Sequence, residues 1–233
     1  EDMAEEYLRE VRRFQPNGPY RLCGASFGGL VAYEAARRLR EAGESVSILA
    51  SIDTYAPGYL SKNSLRKGAM KQLSPLYSKI KFNMFYVGQL PTRREAVKHI
   101  LGRMRGVTLR LKRKANWKKN AIAVQYNKVT GKELPKDMLR NVKAIKEAES
   151  NYSPLPYDGR IILFRALFRP NHVKFDPFLG WGEFTEEEIV IEDVRGNHNT
   201  VMAYPFVEEF ASVFRRYLGE ADRSKATADS AGR

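Results

Sequence analysis

The chain has 233 residues, of which 43% are hydrophobic and 29% charged, and its formal net charge is +13 at pH 7. This composition is sufficient for a buried core and excludes the collagen-like, disordered and disulfide-stapled classes of protein. Cys23 is the only cysteine, so no intrachain disulfide can form, and we expect a reducing, cytoplasmic compartment with Cys23 as an inert, buried core thiol.

The first predicted elements form a βαβ unit. The N-terminal residues lack the basic start and apolar core of a signal peptide, and residues 3–14 instead have the apolar spacing of a helix. A short apolar run at 20–23 and a continuous one at 46–52 are typical of strands, the second of a strand buried in a parallel sheet. Between them, residues 30–42 form a predicted helix that Gly43 closes. This order of elements within about 35 residues predicts a βαβ unit.

The middle of the chain is strongly basic. Residues 60–150 contain 23 Lys and Arg against five Asp and Glu, a net charge of +18, so the rest of the chain carries −5. Helix signals at 61–86, at 93–113 and after Pro135 fall within this segment. We therefore predict a helical insertion with a role of its own. Neither this segment nor the rest of the sequence contains an apolar run of the roughly 18 residues that a membrane span needs.

Strand signals return after the basic segment. Short apolar runs at 160–165 and 188–194 predict two further strands, and residues 204–218 have the clearest helical spacing in the chain. The small, polar residues from 220 onward predict a disordered tail. The order of elements thus predicts half of an α/β sandwich with a helical lid inserted into it.

The sequence Gly24-Ala25-Ser26-Phe27-Gly28 matches the pattern G-x-S-x-G. In that pattern a sharp strand-to-helix turn exposes the serine hydroxyl, and the glycines let the strand and the helix pass without clashes between Cβ atoms. The position between a predicted strand and a predicted helix favours Ser26 as a nucleophile. The alternatives are a serine that caps the helix and a phosphate-binding loop, which lacks the Gly-Lys-Ser/Thr that it needs.

A serine nucleophile needs a base, and the chain has three histidines. His99 lies in the basic segment, whereas His172 and His198 lie in loops after strands, at the sheet edge that would carry the nucleophile. His198 is preferred because a tight turn between the last strand and the last helix projects it toward the serine. His172 is the competitor.

Three aspartates compete to orient the histidine. Asp53 ends the strand that follows the nucleophile helix, so it is preferred. Asp176 lies in the loop after the next strand, and Asp193 lies within the last strand. The alternative role for Asp53 is that of a turn residue that caps the following segment, because Asp is common in turns.

These residues belong to motifs that appear in a fixed order. Over roughly 1–58 and 150–218, the chain resembles the type I thioesterase domains of nonribosomal peptide and polyketide synthases. The motifs that carry the resemblance are Gly18-Pro19-Tyr20-Arg21-Leu22, the segment 24–34, Ile52-Asp53-Thr54, Gly180-Trp181 and Gly196-x-His198-x-x-Val201-Met202.

The resemblance implies an α/β-hydrolase fold, of which this chain holds the C-terminal half of the sheet. It implies a hydrolase core with the nucleophile at 1–58 and a basic helical lid at 59–150. A second core segment with the histidine follows at 151–219, and the disordered tail is 220–233. In the family, further strands precede the first helix. Because the chain also does not begin with Met, we expect it to be a processed product or part of a longer protein.

The resemblance also implies an activity. A thioesterase of this family releases an acyl or peptidyl chain from a phosphopantetheine carrier, by hydrolysis or cyclisation, through a serine acyl-enzyme. The implied triad is Ser26, Asp53 and His198, and the backbone N–H of Phe27 is one oxyanion donor, while the strands before the first helix supply the other. The resemblance implies no cofactor and no metal in this domain. It implies a carrier domain as partner, in the same polypeptide.

Two other functions compete with this one. A free-standing serine esterase or lipase of the same fold would act on simple oxygen esters without a carrier. A protein that binds anions or nucleic acid would use the basic segment, which includes Tyr77, Tyr86, Trp117 and Tyr126. No nucleic-acid-binding motif accompanies that segment, so we expect no nucleic-acid partner. The charge of the segment then serves either solubility or the docking of an acidic carrier.

Overall fold

The computed structural model describes residues 2–63, 80–102, 142–169 and 173–231. The helices are α1 (Asp2–Phe14), α2 (Phe27–Glu41), α3 (Tyr59–Lys62), α4 (80–88), α5 (93–102), α6 (Val142–Asn151) and α7 (Val207–Ala231), with a short 3₁₀ helix at Trp181–Glu183. The strands are β1 (Tyr20–Ala25), β2 (Val46–Ile52), β3 (Ile161–Phe168) and β4 (Ile189–Asn197).

The four strands form one parallel sheet in the order β1-β2-β3-β4. This confirms the predicted α/β class and the predicted βαβ unit, in which α2 connects β1 to β2. Because all strands run the same way, their carboxyl ends meet at one edge, where Ala25 aligns with Ile52 and Ile52 aligns with Phe164. The loops that carry the candidate site residues leave from this edge.

Both faces of the sheet are covered, which explains the continuous apolar run of β2. Leu49 packs on the face covered by α2, whereas Ile48 and Ala50 pack on the face covered by α7, because successive side chains in a strand point to opposite faces. The α2 face includes the fully buried residues Tyr33, Leu163 and Trp181, and the α7 face includes Phe164, Val194 and Phe210. Burial of each such side chain contributes about 1.5–3 kcal/mol.

The structure corrects two expectations, one about Cys23 on β1 and one about the C-terminal tail. Cys23 is exposed rather than buried, because β1 is the edge strand of the described sheet; its inertness stays a prediction. Helix α7 continues to Ala231 through the tail that was predicted to be disordered. The tail is polar but not free of contacts, since Ala221 is buried and Asp222 forms an ion pair with Arg21 of β1.

Contacts divide the chain into two units, Glu1–Phe82 with Ala148–Arg233, and Asn83–Glu147. The first unit contains the sheet. In the second unit, the rings of Tyr86 and His99 stack with their centres 4.3 Å apart. The predicted division into core and lid stays a prediction, and the predicted helix after Pro135 begins outside the described residues. No helix among the described residues has both the length and the apolar character that a membrane span requires.

Candidate active site

Ser26 lies in the turn between β1 and α2, as the G-x-S-x-G pattern predicts. Its backbone angles are φ 53° and ψ −124°, a region that residues with a side chain rarely occupy and that stores strain. The turn depends on glycine, because a Cβ atom on Gly24 would lie 2.1 Å from the carbonyl oxygen of Gly28. The hydroxyl-bearing residue is exposed, so a substrate can reach it.

Backbone hydrogen bonds tie the strained turn to the end of β2. The N–H of Ser26 donates to the carbonyl of Ile52 at 3.1 Å. The carbonyl of Ser26 accepts from the N–H of Gly29 at 3.0 Å and from the hydroxyl of Thr54 at 3.1 Å. Both polar groups of the Ser26 backbone are therefore satisfied although the conformation is unfavourable.

His198 follows β4 and connects the serine to an aspartate. Its Nε2 lies 3.1 Å from Ser26 Oγ, and its Nδ1 lies 2.9 Å from Asp53 Oδ2. A turn aims the ring, since the side-chain oxygen of Asn197 accepts from the N–H of Asn199 at 2.9 Å. The side chain of His198 is 46% exposed, so part of the ring borders solvent.

Asp53 is held in place from the neighbouring strand. The residue is buried, with 3% of its surface exposed, and its backbone lies at φ 45°. Its N–H donates to the carbonyl of Phe164 at 2.7 Å, and its Oδ1 accepts from the N–H of Ala166 at 3.0 Å. One carboxylate oxygen is thus fixed by β3, and the other faces His198.

The contact with Asp53 changes the electrostatics of His198. The hydrogen bond to the carboxylate raises the pKa of His198 above its ordinary value of 6.5, and partial burial opposes that effect. A carboxylate on Nδ1 favours the tautomer in which Nδ1 carries the proton and Nε2 is free to accept one. Ser26 Oγ is the group that faces this acceptor.

The competing residues have other contacts. Asp176 accepts from the N–H groups of Phe178 at 3.1 Å and Gly180 at 2.6 Å, so it closes its own loop. Asp193 forms a paired hydrogen bond with the guanidinium of Arg165, at 3.0 and 2.8 Å. Of the competing histidines, His99 lies in the second unit, and His172 lies outside the described residues.

Phe27, the predicted oxyanion donor, is the first residue of α2. The first N–H groups of a helix have no acceptor within the helix, and the positive end of the helix dipole favours an anion there. The Phe27 N–H directly follows the nucleophile in the chain, which is the position that an oxyanion donor takes in a strand-to-helix nucleophile turn. Among the described residues, no group of His, Cys, Asp and Glu could hold a metal ion.

Comparison with known families agrees with this geometry. The family model of the thioesterase domain matches residues 1–218. The chain belongs to the thioesterase domain family. This family, together with the synthetase and polyketide synthase relatives described next, confirms the resemblance to the thioesterase domains of nonribosomal peptide and polyketide synthases.

The relatives of this thioesterase domain are larger proteins. It is 25% identical over 227 residues to the inactive atromentin synthetase invA6 of Paxillus involutus. The match covers 94% of this chain and 22% of that protein. It is 27% identical over 223 residues to the non-reducing polyketide synthase terA of Aspergillus terreus. That match covers 94% of this chain and 9% of the synthase. The chain therefore spans less than a quarter of either relative.

A solved structure shows the same fold. The NocB thioesterase domain, in covalent complex with a fluorophosphonate nocardicin G analogue, matches 93% of this chain and 74% of that chain. The TM-score is 0.52 and the sequence identity is 22%. The thioesterase domain therefore shares its fold with the NocB thioesterase domain.

Reasoning from the sequence missed three groups that support the site of the thioesterase domain. They are the N–H of Ala166, the hydroxyl of Thr54 and the indole N–H of Trp181, which donates to the carbonyl of Thr54 at 2.9 Å. Thr54 and Trp181 lie in motifs that carried the resemblance, so their presence was visible but their contacts were not. The N–H of Ala166 is a backbone group, and no residue type marks it in the sequence.

Proposed function

We propose that this thioesterase domain releases an acyl or peptidyl chain from a phosphopantetheine carrier through an acyl-enzyme on Ser26. The observation that carries the proposal is the continuous series of contacts from Ser26 Oγ to His198 and from His198 to Asp53. A serine hydroxyl is a weak nucleophile, and a base oriented by a third group activates it.

In the proposed acylation, His198 Nε2 takes the proton of Ser26 Oγ while the oxygen attacks the thioester carbonyl. The Phe27 N–H donates to the oxyanion that forms, and Asp53 stabilises the imidazolium. The C–S bond then breaks, and the proton on His198 passes to the sulfur of the departing pantetheine thiol. This chemistry uses side chains and a backbone N–H, so we propose no cofactor within the domain.

Deacylation repeats these steps with a second nucleophile. His198 takes a proton from water, which gives a free acid, or from a hydroxyl or amine within the bound chain, which gives a ring. The acyl–Ser26 bond breaks, and the proton returns to Ser26 Oγ. Hydrolysis and cyclisation thus differ only in which nucleophile reaches the ester, and we propose release by one of these two routes.

We further propose that a carrier domain in the same polypeptide delivers the substrate. The two relatives are a synthetase and a polyketide synthase in which the matched region is a small part of the protein. The basic segment 59–150 is proposed as the lid, whose +18 charge between 60 and 150 would attract an acidic carrier surface. The single cysteine supports the proposal of a reducing, cytoplasmic location.

Covalent labelling tests the nucleophile. A fluorophosphonate probe is expected to label the wild type and to leave Ser26→Ala unlabelled. Ser61→Ala is the matched control, because Ser61 is also exposed but its hydroxyl donates to the carbonyl of Gly58, the residue before α3; this variant should label like the wild type. Equal labelling of Ser26→Ala would remove Ser26 from the mechanism.

Substrate choice separates the thioesterase from an esterase or lipase. The wild type is expected to hydrolyse or cyclise an acyl chain on a carrier-bound pantetheine with a higher kcat/KM than the same acyl group on a p-nitrophenyl ester. A preference for the oxygen ester, with no gain from the carrier, would favour the free-standing esterase instead.

A further inference from the structure

The hydroxyl of Thr54 lies between two carbonyl groups beside the nucleophile. Thr54 Oγ1 is 3.1 Å from the carbonyl oxygen of Ser26 and 3.2 Å from that of Ile52, and the residue is 2% exposed. We propose that Thr54 is a positioning residue that orients the peptide unit between Ser26 and Phe27 and so aims the Phe27 N–H at the oxyanion. This inference rests on the proposed function, in which that N–H is an oxyanion donor.

The argument depends on the planarity of the peptide bond. The carbonyl of Ser26 and the N–H of Phe27 belong to the same rigid plane and point in opposite directions in a trans peptide. A hydrogen bond that fixes the carbonyl therefore fixes the direction of the N–H. The same hydrogen bond polarises the peptide unit, which makes its N–H a better donor.

The strained backbone makes this restraint necessary. Ser26 lies at φ 53° and ψ −124°, and the angle ψ sets the rotation of the peptide plane that follows. Without a restraint, relaxation of ψ toward a favourable region would turn the Phe27 N–H away from the reacting carbonyl. The N–H of Gly29 gives one restraint at 3.0 Å, and Thr54 gives the second, from the loop that follows β2.

Thr54 is itself held on two sides. Its carbonyl accepts from the indole N–H of Trp181 at 2.9 Å, and Trp181 is 1% exposed and packs on Tyr33. On the other side, a Cβ atom on Gly29 would lie 2.1 Å from Thr54 Oγ1. Only glycine at that position lets the hydroxyl reach the carbonyl of Ser26.

The test removes the hydroxyl while the shape of the side chain is kept. Thr54→Val is expected to lower kcat for an acyl pantetheine thioester about tenfold, less than the 10²–10³ that loss of a whole oxyanion donor costs, with KM within about twofold of the wild type. Thr54→Ser keeps the hydroxyl and should restore kcat. Ser51→Ala is the matched control, since Ser51 Oγ is buried on β2 with no hydrogen-bond partner among the described residues; its kcat should equal that of the wild type.

A tetrahedral inhibitor provides the readout that a purely structural role would not change. An alkyl boronic acid forms a tetrahedral adduct with the nucleophile and carries an oxygen in the oxyanion position. Thr54→Val should bind it about tenfold more weakly and Thr54→Ser as tightly as the wild type. Thr54→Ala, which adds no bulk, should show the same loss of kcat, and circular dichroism melts identify any variant that is unfolded at the assay temperature.

The outcomes separate the two proposals. If Thr54→Val and Thr54→Ala keep kcat and boronic acid affinity while Ser26→Ala is inactive, the role of Thr54 is wrong and the proposed function stands. The same conclusion follows if KM changes instead of kcat, or if Ser51→Ala loses as much activity as Thr54→Val. If Ser26→Ala turns over like the wild type, the proposed function itself is wrong.

Discussion

Replacing Asp53 with Asn tests the proposed triad because the change removes a charge and keeps the shape. In the native site, Asp53 Oδ1 accepts from the N–H of Ala166 at 3.0 Å and Oδ2 lies 2.9 Å from His198 Nδ1. An amide has one oxygen and one NH₂ group. The Asn side chain therefore cannot accept hydrogen bonds from both partners, and at 3% exposure water does not replace the one that is lost.

The two orientations of the amide give the magnitude of the effect. With its oxygen toward Ala166, the NH₂ group faces His198 Nδ1, so the histidine proton moves to Nε2, the atom that must accept the proton of Ser26. The flipped amide keeps the active tautomer but leaves the buried N–H of Ala166 unsatisfied, at a cost of about 1–3 kcal/mol. That difference alone disfavours the active form by about five- to 150-fold.

Loss of the carboxylate charge adds to the tautomer effect, because an amide does not stabilise the imidazolium. The combined loss in kcat for Asp53→Asn is expected to be about 10⁴-fold, as is typical when the aspartate of a Ser-His-Asp triad becomes asparagine. Single-turnover release of pantetheine thiol from an acyl thioester measures it. Asp176→Asn is the control, since Asp176 only closes its own loop, and it should stay within about threefold of the wild type. A larger loss in Asp176→Asn than in Asp53→Asn would refute this reasoning.

Two further predictions concern pH and salt. Acylation should rise with pH through the pKa of His198, above its ordinary 6.5, because only the neutral ring accepts a proton; Asp53→Asn should move that rise to lower pH. Because the pKa of His198 is higher in the folded than in the unfolded chain, its contact with Asp53 stabilises the fold below about pH 6.5. This stabilisation is lost as pH rises through the pKa that His198 has in the folded protein. For a carrier-bound substrate, kcat/KM should fall as salt rises to physiological levels, since salt screens charges beyond about 10 Å at 0.1 M, whereas a small thioester should show a flat response. Charge reversal at Arg110, Lys112, Arg113 and Lys114, which lie outside the described residues, should weaken only the carrier-dependent reaction. An equal salt response of both substrates would leave solubility as the role of the charge.

The sequence predicted the sheet and the candidate triad because both depend on local patterns. The run at 46–52 is apolar apart from Ser47 and Ser51, so a strand buried on both faces was the simplest explanation, and β2 has those bounds. Ser26, Asp53 and His198 each end a strand or follow one, and parallel strands bring such positions to one edge. Chain order and strand direction were sufficient to propose that these three side chains meet.

The features that the sequence did not predict are the exposure of Cys23 and the length of α7. The exposure of Cys23 follows from the edge position of β1, whereas the apolar composition of that strand favoured burial. Helix α7 reaches Ala231, and its contacts there include an ion pair between Asp222 and Arg21, 201 positions apart. Composition describes a segment by itself, so it could not anticipate a partner at that separation.

Each strand of the sheet contributes one group to the candidate site, which explains why its distances are fixed by the fold. Strand β1 leads into Ser26, β2 leads into Asp53, β3 supplies the N–H of Ala166, and β4 leads into His198. A shift of one residue in the pairing of β2 with β3 would move the N–H of Ala166 by about 3.3 Å and leave Asp53 Oδ1 without a donor. Thr54 connects the carboxyl ends of β1 and β2, since it follows β2 and its hydroxyl reaches the carbonyl of Ser26 after β1. Accurate strand register, more than any single side chain, is therefore what holds the proposed nucleophile, base and oxyanion donor at reacting distance.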